Sequence, residues 1–309
     1  MSNKIAFVMD PPERINPAKD SSFAMILAAQ SKGYVPYIIL RENLYLDDQQ
    51  PRASGFQIKA KDTAHNFLTQ NERVDLSLNE FEAVYMRCDP PVDQSYMAAT
   101  FILDIAARNG ARIYNAPSSL QRYNEKLYAT LFPELIPPTL VSSDKERINN
   151  FVSRHGQVII KPLDLMGGQG VYLARKPDIN LDVICELETG NGTRPVIAQK
   201  FLPGIEKGDR RIILIHNKIL DHVLVRFPKS GSIRGNLAAG GGHEIQDLTQ
   251  TDREIAEAVR PVLAEHGVVF AGLDIIEDRL IEINHTSPTG LREIAKATGT
   301  NPAELFFCS

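Results

Sequence analysis

The chain has few cysteines, no membrane-length apolar run and no excess of positive charge, and each shortage narrows what it can be. Three cysteines, Cys88, Cys185 and Cys308, are scattered through 309 residues. They are too few and too far apart for a disulfide framework or a zinc site, so reduced thiols in a cytoplasmic protein are expected. No apolar stretch approaches the ~20 residues of a membrane helix. The N-terminus MSNKIAFVMD runs directly into a strand pattern, without the apolar core and cleavage site of a signal peptide. A formal net charge of −4 lacks the basic excess of nucleic-acid binders. No G-x-S-x-G elbow occurs, and the Cys and His residues form no recognisable nucleophile–base pair. There is no internal repeat and no low-complexity tail.

What is present suits a globular protein of two or three domains, since 43% hydrophobic residues give ample core. Lys4 to Met9 reads as a strand stopped by Asp10-Pro11-Pro12. Asp20-Ser21-Ser22 offers N-cap chemistry for a helix from about Phe23 to Lys32, and Val35 to Leu40 is a second strand. This β-α-β opening predicts a parallel sheet covered by helices. Residues 41–79 are polar and aperiodic, and predict no particular structure. Ala83 to Met86 is another strand, followed by a helix over about 94–109 and a strand over 112–115. Ligands in open α/β sheets gather at the carboxyl ends of strands, which puts Arg87 where an anion could meet it.

After Asn124-Glu125-Lys126 the pattern becomes α+β. Thr139-Leu140-Val141 is a strand, and Ser142 or Ser143 is the expected cap of a helix to His155. Val158-Ile159-Ile160 delivers Lys161, then Met166-Gly167-Gly168-Gln169-Gly170, then the strand Val171 to Ala174. A lysine ahead of a glycine-rich loop suits phosphate, because backbone N–H groups can approach the anion and the lysine adds a mobile charge. A plain glycine-rich turn would look the same. The loop is neither a Walker A motif nor a dinucleotide fingerprint, since a strand follows it.

Strands over Arg210–His216 and Lys218–Phe227 turn near Asn217. The first puts Arg211, Ile213 and Ile215 on one face and Arg210, Ile212 and Leu214 on the other. Arg226 and Arg234 follow, and guanidinium forks converging on one cleft would suit carboxylates and phosphates. The segment from Pro228 to His243 is flexible in composition, a helix covers about 251–266, and Ser287-Pro288 is expected to start a final helix to about Ala297.

The stretch Gly272 to Pro288 reads as a hairpin carrying Asp274, Glu282 and Asn284 among apolar residues. Alternation puts Glu282 and Asn284 on one face, with Ile281 and Ile283 on the other. Two carboxylates and an amide suit a hard cation such as magnesium, which commonly arrives with substrate phosphates. A half-exposed hairpin with Glu282 and Asn284 in water is equally compatible. The shared site predicts a three-residue loop, Glu277 to Arg279, because pairing Ile276 with Leu280 brings Asp274 opposite Glu282. Anion binding, a metal face and flexible loops together are the equipment of phosphoryl transfer.

The combined motifs resemble the bacterial glutathione synthetase family of the ATP-grasp superfamily. The resemblance runs through Val8-Met9-Asp10-Pro11, Asp20-Ser21-Ser22-Phe23, Met86-Arg87-Cys88-Asp89-Pro90-Pro91, Asn124-Glu125-Lys126-Leu127 and Lys161-Pro162-Leu163-Asp164 with Met166-Gly167-Gly168. It continues through Arg234-Gly235-Asn236-Leu237-Ala238-Ala239-Gly240-Gly241, Gly272-Leu273-Asp274 and Glu282-Ile283-Asn284 with Thr286-Ser287-Pro288. It covers nearly the whole chain. It implies an α/β and α+β protein: an N-terminal parallel-sheet domain (1–120), then a two-part ATP-grasp fold with a central lid (121–200) and a C-terminal domain (201–309). ATP would lie between the last two.

By resemblance, the activity is ATP-dependent joining of γ-glutamylcysteine to glycine through an acylphosphate, with magnesium or alternatively manganese. Lys126 and Lys161 would contact ATP phosphates under the loop of Gly167, Gly168 and Gly170. Gln199, Lys200 and Leu202 would frame the adenine, with Asp209 near the ribose. Asp274, Glu282 and Asn284 would hold the metal. Arg211 would stabilise charge in the reaction, alongside Lys161. Arg87, Arg226, Arg234, Asn236 and Ser287 would bind peptide carboxylates beneath a loop containing Gly240 and Gly241. Relatives are homo-oligomers, a tetramer being the implied form. Two departures stand out: Gly242 replaces a frequent basic residue, and a short C-terminus leaves Phe306 and Phe307 without an evident packing partner. Another ATP-grasp ligase, or a nucleotide-binding regulatory protein without turnover, are the alternatives. The intact set of Arg211, Asp274, Glu282 and Asn284 argues against lost turnover.

Overall fold

The first strand shows how the N-terminal part is layered. In β1 (Lys4–Met9), Ile5, Phe7 and Met9 enter one core while Ala6 and Val8 enter another. A strand buried on both faces needs helices on both sides. The computed structural model describes residues 2–235 and 240–308. Helix α1 (Ser21–Ser31), capped by the Asp20 carboxylate accepting from the Phe23 N–H, covers the first face. Strands β2 (Val35–Leu40), β3 (Leu44–Asp47), β4 (Gln50–Ala60), β5 (Leu68–Ser77) and β6 (Ala83–Arg87) follow. Helix α2 (Gln94–Arg108) covers the second face, and β7 (Ile113–Tyr114) closes the sheet.

The sheet order is β3-β4-β2-β1-β6-β7, with β5 paired to β4. Strands β2, β1, β6 and β7 are parallel, as the β-α-β opening predicts. Residues 41–79, which predict nothing by sequence, form an antiparallel extension. Most of β5 is exposed, so its strand character rests on pairing rather than on an apolar face.

Short helices α3 (Pro117–Arg122) and α4 (Glu125–Tyr128) lead to a four-stranded antiparallel sheet of β8 (Thr139–Ser142), β9 (Gln157–Pro162), β10 (Tyr172–Arg175) and β11 (Val196–Lys200). Helices α5 (Lys145–His155) and α6 (Leu181–Thr189) pack on it. The cap of α5 is Asp144, not Ser142 or Ser143: its carboxylate accepts from the Arg147 N–H at 3.0 Å. Ser142 instead accepts from the Asp144 N–H.

The third sheet has the order β14-β13-β12-β15-β16, all antiparallel. Its strands are β12 (Asp209–Ile215), β13 (Lys218–Phe227), β14 (Gly242–Asp247), β15 (Phe270–Ile276) and β16 (Arg279–Asn284), with α7 (Gln250–Glu265) packed on one face. Tyr128 and Ala129 share that core, so the chain around α4 packs on the third sheet. The other face, through Ile213, Ile215 and Phe270, joins the core of the N-terminal sheet.

The final helix α8 spans Leu291–Thr298 with Gly290 as its N-cap, so the segment Ser287-Pro288 expected to start it precedes the helix. A 3₁₀ segment, Pro302–Phe307, ends the fold. Phe306 and Phe307, which lack an evident packing partner by sequence, are buried against Tyr85, Tyr34 and Phe270.

Candidate active site

The hairpin of β15 and β16 builds the centre of the site, and it does so differently from the sequence expectation. Ile276 pairs with Arg279, so the turn is the two residues Glu277-Asp278. The expected three-residue loop is therefore wrong. Asp274 nevertheless faces Glu282, and Gly272 faces Asn284, because a β-bulge shifts the register by one residue after Asp274. A bulge sets two residues against one and re-aims side chains. Here Leu280 and Ile283 both enter the core, while Ile281, Glu282 and Asn284 all line the cleft. Ile281 thus lies on the polar face, against the strict alternation expected for it.

Asp274 is buried and committed. Arg211 on β12 forks onto both its oxygens, Nε to Oδ1 and Nη2 to Oδ2 at 2.7 Å each. Arg226 Nη2 lies 2.9 Å from the same Oδ2 and also donates to Asp209. Asn284 adds a hydrogen bond from Nδ2 to Asp274 Oδ2 at 3.1 Å. Burial opposes ionisation of Asp274, but the two guanidinium groups outweigh it and hold its carboxyl well below the usual carboxylate range. Asp209 behaves oppositely. Burial pushes it up to about 6 against the pull of Arg226, because two carboxylates share that arginine and only Asp274 has a second. Asp209 Oδ1 is buried without a hydrogen-bond partner among the described residues.

Two lysines meet this hairpin from the other side. Lys126 is buried, not solvated: its ammonium donates to the Leu165 carbonyl at 2.6 Å and lies 3.9 Å from Glu282 Oε1. The Asn124 cap of α4 holds it there. Lys161 is equally buried, and no carboxylate lies within 4.0 Å of it among the described residues. Burial pulls its pKa down, with Glu282 resisting and Lys126 adding to the depression. Gly167 and Gly168, both at positive φ, carry the loop past these ammonium groups.

The structure gathers most of the sequence candidates into one cleft between the second and third sheets. Lys126, Lys161, Gly167 and Gly168 line it, with Gln199, Lys200, Leu202 and Asp209. Asp274, Glu282, Asn284 and Arg234 complete the candidate set there. Arg234 Nη1 reaches the Gly168 carbonyl at 3.4 Å, and Gln199 is fixed by Thr139 at 3.2 Å. Arg211, Arg226 and Ser287 line an adjoining cavity that shares Gly167 and Asn284 with the first. Arg210, on the opposite face of β12, is bound by Asp252 under α7 and takes no part.

Other candidates lie elsewhere. Arg87 is buried and bonded to Ser22 Oγ at 3.0 Å and the Pro288 carbonyl at 2.8 Å, with its guanidinium over the Phe270 ring. It borders a third hollow, with Ser287, rather than either main cavity. Gly170 lies off the cleft. Gly241 approaches the Phe227 carbonyl so closely that a Cβ would stand 1.9 Å from that oxygen, and neither it nor Gly240 lines the cavities. Asn236 lies outside the described residues.

Sequence reasoning missed the apolar walls. Ile159, Val171, Phe201, Ile205 and Ile276 line the first cleft and make it suited to a flat ring. Ile159 could have been found, because it precedes Lys161 by two residues on one strand face.

Among the described residues no group of three His, Cys, Asp or Glu is placed to hold a metal. Glu282 accepts no hydrogen bond among the described residues, and Asn284 directs its Nδ2 to Asp274 and the Gly272 carbonyl and accepts none on its side-chain oxygen. Two free oxygen donors beside two lysines fit a magnesium ion that takes its remaining ligands from phosphates and water. Asp274, expected as a third ligand, is engaged by arginines.

Two family models match the chain: prokaryotic glutathione synthetase, N-terminal domain, over residues 3–121, and prokaryotic glutathione synthetase, ATP-grasp domain, over 125–299. A glutathione synthetase from Pseudomonas syringae pv. tomato is 43% identical over 301 residues, 97% of this chain and 94% of that protein. One from Vibrio parahaemolyticus is 44% identical over 294 residues, 95% of this chain and 93% of that one. Among solved structures, D-cycloserine synthetase DcsG superposes with a TM-score of 0.69 at 13% identity, covering 98% of this chain and 97% of that one. At that identity the likeness concerns the fold alone.

Proposed function

The chain belongs to the prokaryotic glutathione synthetase family, ATP-grasp ligases that make glutathione from γ-glutamylcysteine, glycine and ATP, and from this premise we propose how its residues divide the work. One observation carries the reading. Lys126 and Lys161 are buried side by side beneath a glycine loop, with no carboxylate paired to Lys161 among the described residues, and such charge calls for a polyphosphate.

In this reading ATP lies in the first cleft, its adenine between Ile159, Val171 and the 199–202 strand end. The unpartnered Oδ1 of Asp209 accepts from a ribose hydroxyl. Glu282 and Asn284 hold magnesium, which neutralises phosphate charge when bound. Asp274 serves chiefly to fix Arg211 and Arg226. The acid substrate occupies the adjoining cavity. Its cysteinyl carboxylate attacks the γ-phosphorus and ADP leaves, giving an acylphosphate. The neutral glycine amine then attacks the acyl carbon, inorganic phosphate departs, and the amine gives up a proton. Arg211 and Lys161 stabilise the charge that develops on oxygen. Arg234, resting on Gly168, shields the acylphosphate from water. Ser287 belongs to the wall of the adjoining cavity, and Arg87 braces it from behind through the Pro288 carbonyl. We further place the protein in the cytoplasm as a homo-oligomer; among the described residues no helix is long and apolar enough to cross a membrane.

Purified protein should release phosphate only when ATP, magnesium, γ-glutamylcysteine and glycine are all present. Release only with another dipeptide or amine would point to a different ligation, and none above background would defeat the reading. Glu282→Gln should lower kcat by roughly 10²-fold or more, the scale of losing one electrostatic group at a reacting phosphate. It should also raise the magnesium concentration needed for half-activity. An unchanged magnesium titration would remove Glu282 from the metal.

A further inference from the structure

The second cavity holds a charge that the division of labour above does not use. Glu293, in the first turn of α8, is buried, and its Oε2 has no hydrogen-bond partner among the described residues. It lines the cavity that also contains Arg211 and Ser287. A first-turn glutamate often reaches back to cap its helix, but the N-cap here is Gly290 and no such bond forms. Burial raises its pKa, with its own backbone N–H and then the charges of His243, Lys19 and Arg211 resisting. Lys19 lines the same cavity, and no ion pair joins it to Glu293 among the described residues. Opposite charges thus face one space without neutralising each other.

We propose that Glu293 is a specificity-determining residue that binds the α-ammonium of the γ-glutamyl group, with Lys19 beside it for the adjacent α-carboxylate. The inference rests on the ligase reading, which supplies a zwitterionic head remote from the reacting carboxylate. That head keeps both charges throughout the reaction, so a fixed anion and cation can bind it in every state. Glycine is also a zwitterion, but its amine must lose its proton to attack, and a carboxylate clamp would hold that proton in place. Asp20, Asp89 and Glu125 border the cavity too. Asp20 is committed to capping α1, Glu125 accepts from the His285 and Thr286 N–H groups, and Asp89 is exposed, whereas Glu293 is the carboxylate of this cavity that is buried with an open oxygen among the described residues.

The test compares γ-glutamylcysteine with glutarylcysteine, the same molecule without its amino group, at saturating ATP and glycine. Wild type should prefer γ-glutamylcysteine by about tenfold or more in kcat/KM, the value of one charge-assisted hydrogen bond. Glu293→Gln should lose most of that preference through a raised KM for γ-glutamylcysteine, with the KM for glycine little changed. Glu293→Asp should restore part of it. A preference retained in Glu293→Gln would overturn the proposal, as would an effect confined to glycine or equal losses for both acids. Calorimetric binding of γ-glutamylcysteine needs no turnover and separates the two readings. Wild-type binding without turnover would strike the ligase reading, while wild-type-like binding by Glu293→Gln would strike the clamp.

Discussion

Arg226 holds two carboxylates, and that makes it a structural risk as well as a residue lining the second cavity. It is buried between Asp209 and Asp274. Removing one partner of a buried ion pair leaves an uncompensated charge, at a cost of ~3–5 kcal/mol. Arg226→Gln should therefore destabilise by about that amount, because Asp274 keeps Arg211 but Asp209 keeps nothing. Denaturant titration followed by circular dichroism measures this, and a change within ~0.5 kcal/mol, typical of surface substitutions, would contradict it. The cysteines make a second residue-scale case. Burial pushes the Cys88 thiol up to about 12 and that of Cys185 up to about 11, while Cys308 is exposed. The thiolate is the reactive form. In the native protein a thiol reagent at neutral pH should label Cys308 alone, with the other two reacting after unfolding; mass spectrometry of digested peptides reads the sites.

At the scale of elements, the β15–β16 hairpin shows how one inserted residue sets a site. Alternation along a strand fixes which residues share a face only while the ladder is regular. The bulge at Ile281 lets a two-residue turn coexist with Asp274 facing Glu282. Deleting Ile281 removes the one residue that the register leaves unpaired, so a regular hairpin should keep Asp274 opposite Glu282 and Leu280 opposite Ile275. The expected outcome is a far-ultraviolet spectrum close to that of the parent, with ATP-dependent turnover retained and the KM for ATP raised by loss of one apolar side chain from the cleft. Loss of turnover in a folded variant would show that the bulge itself, and not the pairing, positions Glu282. The turn itself was misjudged for a plain reason: a bulge leaves no compositional mark in Arg279 to Asn284. Residues 41–79 stayed illegible because half-exposed strands carry polar residues on their open faces.

Across the whole molecule, the C-terminus returns to the start of the chain. Phe306 and Phe307 pack with Tyr85 and Tyr34, while Lys32 pairs with Glu304 at 2.8 Å. The core they enter also contains Phe7, Ile213 and Leu291, so the first and third sheets share it. Phe306→Ala should cost ~3–5 kcal/mol, as truncations of buried phenylalanines do. The loss should appear as a lower melting temperature by calorimetry. A shift smaller than about 2 °C would mean that the terminal segment is dispensable.

The sequence by itself determined much of this protein. Apolar runs marked β1, β2, β6 and β12; Asp20 announced α1; and Lys161 with its glycine loop stood out as a candidate anion site. Those signals are local, arising from strand periodicity, capping and backbone freedom, and they survive in one dimension. What only the tertiary structure decided is which charges meet. Nothing adjacent to Asp274 shows that Arg211 and Arg226 will occupy it, that Lys126 will be buried beside Lys161, or that Glu293 will face a cavity across from Lys19. Those partners are brought together by sheet order and helix docking, and the free energy of a buried charge depends on partners that the chain supplies from far away.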